Sequence, residues 1–304
     1  MFYPSGYYRR KALAALKGHW QTALLIALIV NLPTLMMQGF SAFTGNDPVT
    51  RLQAVIVTAS RDGLMTQELL ADEIRKLMES TAFWTVRGLE LVAWLVTPCL
   101  SLGMYKWLLD RLHGQEQPVG AVFCRMRIFF RAIGLQLMVI LKVLFWMLPG
   151  IAAAVITMLP LFRASGTQEQ LAAMQGSYGM TLPVILLMAV PGAMAALRYA
   201  LADYIMAEKP ESRIMHCVRH SRELMRDQKK NLFFLLFSFL LWYLLELLIS
   251  SLLSGVFSLV FQMLAGLALS LYMSCSVAAF YLRLTECEEK HENPNAEPAP
   301  EELN

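Results

Sequence analysis

Four ionisable residues stand inside long apolar stretches of the sequence, and they are the first candidates for chemistry: Arg87, Glu90, Lys142 and Glu246. Charged groups are costly inside a bilayer, so a charge kept there points to a specific role. With a helical rise of about 1.5 Å per residue, all four fall in one layer in the outer half of a membrane. Such a layer can form a polar site for a solute or a proton, or a charge-balanced lock between helices. The balance of two acids against two bases favours the lock.

A second ionisable pair, Arg198 and Asp203, lies near the basic end of a later apolar stretch. The two residues are five positions apart in the chain, so they do not share one face of a helix. We interpret Arg198 as a cation whose long side chain reaches the membrane interface.

Metal and catalytic motifs are sparse. His216, Cys217 and His220 place two histidines at i and i+4, but a further acidic or cysteine ligand at a fixed spacing is missing, so we interpret them as surface histidines. The chain has no H-E-x-x-H, G-x-S-x-G, P-loop or Rossmann glycine pattern. We therefore expect no metal, no cofactor and no enzymatic activity. Glu90 and Glu246 are the residues to test first for an enzyme that acts on lipids within the membrane.

The composition indicates an all-α membrane protein. Of the 304 residues, 57% are hydrophobic and 16% are charged, against roughly 25% charged in soluble domains. The apolar residues are concentrated in blocks of about 20 or more, the length that crosses a bilayer. The blocks predict a bundle of about six transmembrane helices, with Pro149-Gly150 and Pro191-Gly192 bending the third and fourth. Their approximate bounds are 20–40, 83–109, 128–162, 180–207, 231–251 and 256–283.

Two segments outside these spans show helical spacing of their apolar residues. Residues 66–80 predict an amphipathic helix capped by Thr66, within an extracytoplasmic loop at 41–82. Residues 208–230 predict a basic amphipathic helix that lies at the membrane surface and is a candidate surface for lipid or a partner protein. The basic residues of that surface are Arg213, Arg219, Arg222, Arg226, Lys229 and Lys230.

The distribution of positive charge predicts the orientation. Six spans put both termini on one side of the membrane. That side carries 18 lysines and arginines, in segments 1–19, 106–131, 209–230 and 283–304, and the other side carries six. Because basic loops are retained in the cytoplasm, both termini are expected there.

The chain divides into a transmembrane domain at 1–285 and a tail at 286–304. The tail has seven glutamates, three prolines and few apolar residues, so disorder is expected. The five cysteines form no C-x-x-C pair and are expected to be free thiols.

Several stretches of the chain match the pattern of a known family. They are ALKGHW at 15–20, PGAMAALRYALADYIMAEKP at 191–210, SRELMRDQKKNLF at 221–233, FSFLLW at 237–242 and LYMSCSVAAFY at 271–281. In these stretches the chain resembles the uncharacterised bacterial integral membrane family known as domain of unknown function 975. The resemblance implies a six-helix bacterial membrane protein with no assigned activity. The chain departs from the family pattern at several positions, among them Asp203, where the family usually has proline.

Two functions remain open at this point. The first is a non-enzymatic factor of the bacterial cytoplasmic membrane that binds membrane lipids or other membrane proteins, and not nucleic acid. The second is a transporter of a small solute or lipid, favoured by the intramembrane charges and by the paired Pro-Gly positions, which are typical of helices that line a cavity. The absence of catalytic motifs favours the first. The oligomeric state stays open.

Overall fold

The computed structural model of the protein describes residues 4–44, 54, 67–163 and 167–292. Within these ranges the chain forms helices joined by short turns and contains no β-strand. The helices are α1 Ser5–Leu16, α2 Trp20–Thr44, α3 Gln67–Glu79, α4 Thr81–Leu112, α5 Phe129–Arg163, α6 Thr167–Tyr199, α7 Ala202–Glu208, α8 Ile214–Leu224, α9 Lys229–Leu252 and α10 Gly255–Glu292, with a 3₁₀ helix at Val119–Ile128.

Five of these segments are long and apolar enough to cross a membrane, which makes the chain a multi-pass, all-α bundle as predicted. They are Phe83–Leu112, Val119–Thr157, Pro183–Glu208, Lys229–Leu252 and Val260–Glu288. The pair α1 and α2 supplies a sixth candidate, because together the two helices pass the same test although they meet at 100°. The bend occurs at Gly18, whose φ of 82° is favourable for glycine alone.

Helix α1 was not predicted, and it packs across the bundle instead of extending α2. The hydroxyl of Tyr272 on α10 donates a hydrogen bond to the Arg9 carbonyl at 3.2 Å, and Arg111 Nε on α4 donates to the Ala15 carbonyl at 3.2 Å. Its buried residues join the core where α1, α4, α7 and α10 meet. Fully buried members of that core are Leu16, Leu108, Leu201 and Ala278.

Large apolar side chains cover the outside of the bundle. Phe130 is 85% exposed, Leu241 is 73% exposed and Phe257 is 81% exposed. A soluble protein rarely leaves apolar patches of such extent in water, whereas hydrocarbon tails solvate them without cost. This surface is therefore consistent with lipid contact along the spans.

The two Pro-Gly pairs have a role in helix packing, and the bends predicted there stay a prediction. Helices α5 and α6 each run without interruption through them. A Cβ atom at Gly150 would lie 2.5 Å from Met188 Cα, and one at Gly192 would lie 3.0 Å from Met147 Cγ. The missing side chains thus let α5 and α6 approach closely, as small residues do between membrane helices.

Three other predictions need correction. The fourth span is interrupted, because α6 ends at Tyr199 and α7 begins at Ala202. The basic segment 208–230 is not one continuous helix, because the helix within it, α8, runs only from Ile214 to Leu224. The tail does not begin at 286, since α10 continues to Glu292 and is supported by an Arg283–Glu286 ion pair of 3.1 Å. The predicted disorder at 293–304 and the Thr66 cap lie outside the described residues.

Candidate functional site

The structure brings two of the four predicted intramembrane charges together. Arg87 Nη1 lies 2.7 Å from Glu90 Oε2, one turn further along α4, and both side chains are partly exposed. The Arg87 guanidinium also lies 5.7 Å from the centroid of the Phe83 ring. This pair therefore belongs to a single helix, and among the described residues no ion pair joins it to another span.

Lys142 and Glu246 lie apart from that pair. Lys142 Nζ is 6.0 Å from the centroid of the Tyr199 ring on α6. The Glu246 carboxylate lies against α10, with Oε1 3.3 Å from the position that a Cβ of Gly266 would occupy. Within the described ranges no ion pair involves Lys142 or Glu246. A role for the four residues as one layer stays a prediction.

Arg198 contacts an aromatic ring on the neighbouring span. Its guanidinium carbon lies 4.7 Å from the centroid of the Trp146 ring on α5. The free energy of this cation–π contact offsets part of the cost of removing the guanidinium from water. The sequence predicted that the Arg198 side chain reaches towards the membrane interface. The structure gives this side chain a specific partner, the Trp146 ring.

A polar cavity of about 290 Å³ lies between α4, α5 and α7. We name it the Asp203 cavity. Its polar lining consists of Thr97, Ser101, Tyr105, Gln136 and Asp203. Its apolar lining consists of Trp94, Pro98, Leu102 and Ala132.

Helical spacing explains how three elements build this lining. Thr97, Ser101 and Tyr105 follow one another at four-residue intervals, so α4 presents them on one face. Ala132 and Gln136 repeat that interval on α5. Asp203 enters from the second residue of α7, directly after the interruption of the fourth span. The cavity thus depends on three chain segments and on the break between α6 and α7.

The opposite side of α4 is held by the 3₁₀ helix. A Cβ atom at Gly103 would lie only 1.9 Å from the Val122 carbonyl oxygen, so no other residue fits there without a shift. The Cys99 thiol also donates to the Arg125 carbonyl at 3.1 Å. These contacts fix the rotation of α4 that points its polar face at α5 and α7.

The Asp203 side chain has no hydrogen-bond or ion-pair partner among the described residues. Basic side chains of the adjacent elements are engaged elsewhere: Lys106 pairs with Asp110, and Arg125 donates to the Ala207 carbonyl at 2.6 Å. From the sequence alone, Asp203 is an ionisable residue near the end of a span, with no predicted site around it.

Tyrosine rings line up beside Asp203. The rings of Tyr105 and Tyr204 lie 4.5 Å apart, and those of Tyr204 and Tyr281 lie 6.1 Å apart. The Tyr204 hydroxyl donates to the Ser274 carbonyl at 3.0 Å, and the Tyr281 hydroxyl donates to Glu208. The Tyr105 hydroxyl makes no hydrogen bond in the described part of the chain and is thus available to the cavity.

The predicted basic surface forms around α8, and most of the apolar stripe of this helix packs against the protein, although Met215 is exposed. Val218 and Met225 are buried in the protein core together with Cys217, whose thiol pKa is raised by burial. Ser221 donates to the Arg198 carbonyl at 3.0 Å. The apolar side of α8 is therefore used to dock the helix on the bundle. The prediction that this helix lies at the membrane surface stays a prediction.

The basic side chains of this segment remain on the outside. We call this surface the cationic face, and all its residues except the half-buried Lys229 are exposed: Arg213, Arg219, Arg222, Arg226, Lys229 and Lys230. None of them forms an ion pair with a carboxylate among the described residues. The cationic face lies between Glu208, which ends one span, and Lys229, which begins the next.

Comparison with known proteins identifies the family. The model of the family described as "Protein of unknown function (DUF975)" matches residues 1–288. The chain belongs to this family. The match covers every element of the Asp203 cavity and of the cationic face. No curated protein and no solved structure matched the chain.

His216 and His220 of this DUF975 protein are not surrounded by further metal ligands in the described part of the chain. The rings of His216 and His220 are stacked at 5.8 Å, while Cys217 is buried on the other side of α8. His220 Nε2 instead lies 3.6 Å from Glu288 Oε2 on α10. In the described ranges no group of three histidine, cysteine, aspartate or glutamate side chains is arranged to hold a metal ion.

Proposed function

We propose that this DUF975 protein is a non-enzymatic factor of the bacterial cytoplasmic membrane whose cationic face binds the headgroups of anionic lipids. Both termini lie in the cytoplasm in this proposal, because the basic segments adjoin the same ends of the spans. One observation carries the proposal: the six basic residues of the cationic face have no carboxylate partner among the described residues.

The position of α8 supports binding at a membrane. Its buried side is fixed to α7, α6 and α5; for example, Ile214 Cδ1 lies 2.7 Å from the position that a Cβ of Gly134 would occupy. The outward cations are therefore carried by a docked helix, which reduces the ordering cost when they bind phosphate. Because Lys229 and Lys230 begin a span, the surface lies at the depth of lipid headgroups.

Electrostatic attraction to an anionic leaflet contributes about 1 kcal/mol for each lysine or arginine near the surface. Removal of two such charges is expected to cost about 2 kcal/mol, which corresponds to a roughly thirtyfold weaker affinity. Exposed charges are screened by salt, so the attraction should decline as ionic strength rises.

The test titrates detergent-solubilised protein with short-chain phosphatidylglycerol or with the matching phosphatidylcholine, and follows Tm. Only phosphatidylglycerol should stabilise the wild-type protein, and 0.5 M NaCl should reduce the effect. The double variant Arg219→Gln/Arg222→Gln should lose most of the stabilisation by phosphatidylglycerol. The control Arg75→Gln/Lys76→Gln removes the same amount of charge from the exposed surface of α3 and should keep this stabilisation.

Equal stabilisation by the two lipids would contradict the proposal, as would an equal loss in both double variants. A lipid response that is absent altogether would favour a protein partner for the cationic face instead.

A further inference from the structure

We propose that the Asp203 cavity is a binding site for a small organic cation, a protonated amine or a quaternary ammonium ion. This site is separate from the cationic face and does not depend on lipid binding there. The inference rests on the charge, the hydrogen-bonding groups, the aromatic rings and the size of the cavity.

The charge of the lining selects for a cation. Among the described residues that line the cavity, Asp203 is the only one with a formal charge. Its carboxylate is partly exposed and has no hydrogen-bond or ion-pair partner among the described residues, and a carboxylate in a partly apolar site is stabilised by an opposite charge. A ligand with one positive charge supplies the missing partner, whereas an anion would be repelled.

The remaining lining fits an ammonium group better than a metal ion. Thr97, Ser101 and Gln136 offer neutral oxygen acceptors for N–H donors. Ca²⁺ and Mg²⁺ commonly require several carboxylate or carbonyl oxygens, and the lining includes a single carboxylate and no histidine or cysteine. Trp94 and Tyr105 add aromatic rings, whose faces attract ammonium ions and form the cages that recognise quaternary ammonium ligands.

The size limits the ligand to a small molecule. A volume of about 290 Å³ is close to the lower limit of roughly 300 Å³ for small-molecule pockets. Trp94, which lines the cavity, is 43% exposed and lies on the spanning helix α4. The ammonium can therefore belong to a free amine or to the headgroup of an aminolipid.

The experiment measures Tm of the purified full-length protein against increasing tetramethylammonium chloride or ethanolamine hydrochloride, with NaCl at equal ionic strength as reference. A ligand that binds only the folded state raises Tm with concentration. We expect both ammonium salts to stabilise the protein beyond NaCl. A second titration adds short-chain phosphatidylethanolamine to distinguish a headgroup from a free amine as the better ligand.

Three variants make the test specific. Asp203→Asn keeps the shape of the side chain and should weaken ammonium binding at least tenfold. Ala132→Leu leaves Asp203 in place, fills part of the cavity and should also abolish the response. The control Asp227→Asn removes an exposed carboxylate outside the cavity and should bind like the wild type.

The proposal is overturned if neither ammonium salt stabilises the wild-type protein beyond NaCl. Retention of the response in Asp203→Asn would overturn it as well, and so would an equal loss in Asp227→Asn. If Asp203→Asn does not fold, Ala132→Leu decides, since an unchanged ammonium response in that variant would exclude the cavity as the site.

Discussion

Replacement of Gly103 by alanine should destabilise the protein, although alanine is the better helix former. A Cβ at this position would lie 1.9 Å from the Val122 carbonyl oxygen, about 1.5 Å closer than an ordinary contact of 3.4 Å. The obstacle is backbone, so α4 or the 3₁₀ helix must move. Overpacking of this kind costs about 1–3 kcal/mol, which exceeds the gain in helix propensity of about 0.5–1 kcal/mol.

The matched control is Gly88→Ala, also within α4, where an added Cβ has no atom within 4 Å. At Gly88 the higher helix propensity of alanine is not offset by a packing cost, so this variant should be slightly more stable than the wild type. Both variants gain helix propensity, so they should differ by the overpacking cost alone, about 1–3 kcal/mol. At about 2 °C per kcal/mol for a chain of this size, their Tm values should differ by roughly 2–6 °C.

A thiol-reactive fluorogenic dye is a suitable assay, because Cys99, Cys217 and Cys275 are buried and become reactive on unfolding. Gly103→Ala should also disturb the Asp203 cavity, since the contact of Gly103 with Val122 fixes the rotation of α4. If the Tm of Gly103→Ala equals or exceeds that of Gly88→Ala, the result refutes the close approach of α4 and the 3₁₀ helix at Gly103.

Three further outcomes are expected. In vesicles of native orientation, a membrane-impermeant thiol reagent should label the exposed Cys124 and Cys287 only after permeabilisation; labelling of intact vesicles would contradict cytoplasmic termini. Tyr281→Phe should lower the unfolding free energy by about 1.5–3 kcal/mol, because it removes a hydrogen bond to the Glu208 carboxylate, and an unchanged Tm would count against that bond. Glu246→Gln should leave Tm unchanged or raise it, since no described residue forms an ion pair with Glu246; a clear loss of Tm would support the charge-balanced lock.

The sequence predicted the long apolar spans more reliably than the short helix before them and the break within the fourth span. Blocks of about 20 apolar residues define spans because a bilayer has a fixed thickness, and α4, α5, α9 and α10 lie close to their predicted positions. It missed α1, whose short amphipathic pattern, with Tyr8, Ala12 and Leu16 buried, precedes the apolar run. It also missed the break at Ala200 and Leu201, where no proline or glycine interrupts the pattern.

The candidate sites also depend partly on the sequence and partly on tertiary packing. Periodicity determined that α8 has an apolar and a basic side, but lipid and protein satisfy an apolar stripe equally well, so only tertiary packing decided that Val218 and Met225 face the core. Composition determined that a charge at Asp203 is unusual within a span. The cavity around it requires Ser101, Gln136 and Asp203 to converge from three helices, and such contacts between distant segments depend on how the helices are rotated and paired. The sequence therefore determined the membrane class and the exposed charges of this protein, and the tertiary structure decided which polar residues share a cavity.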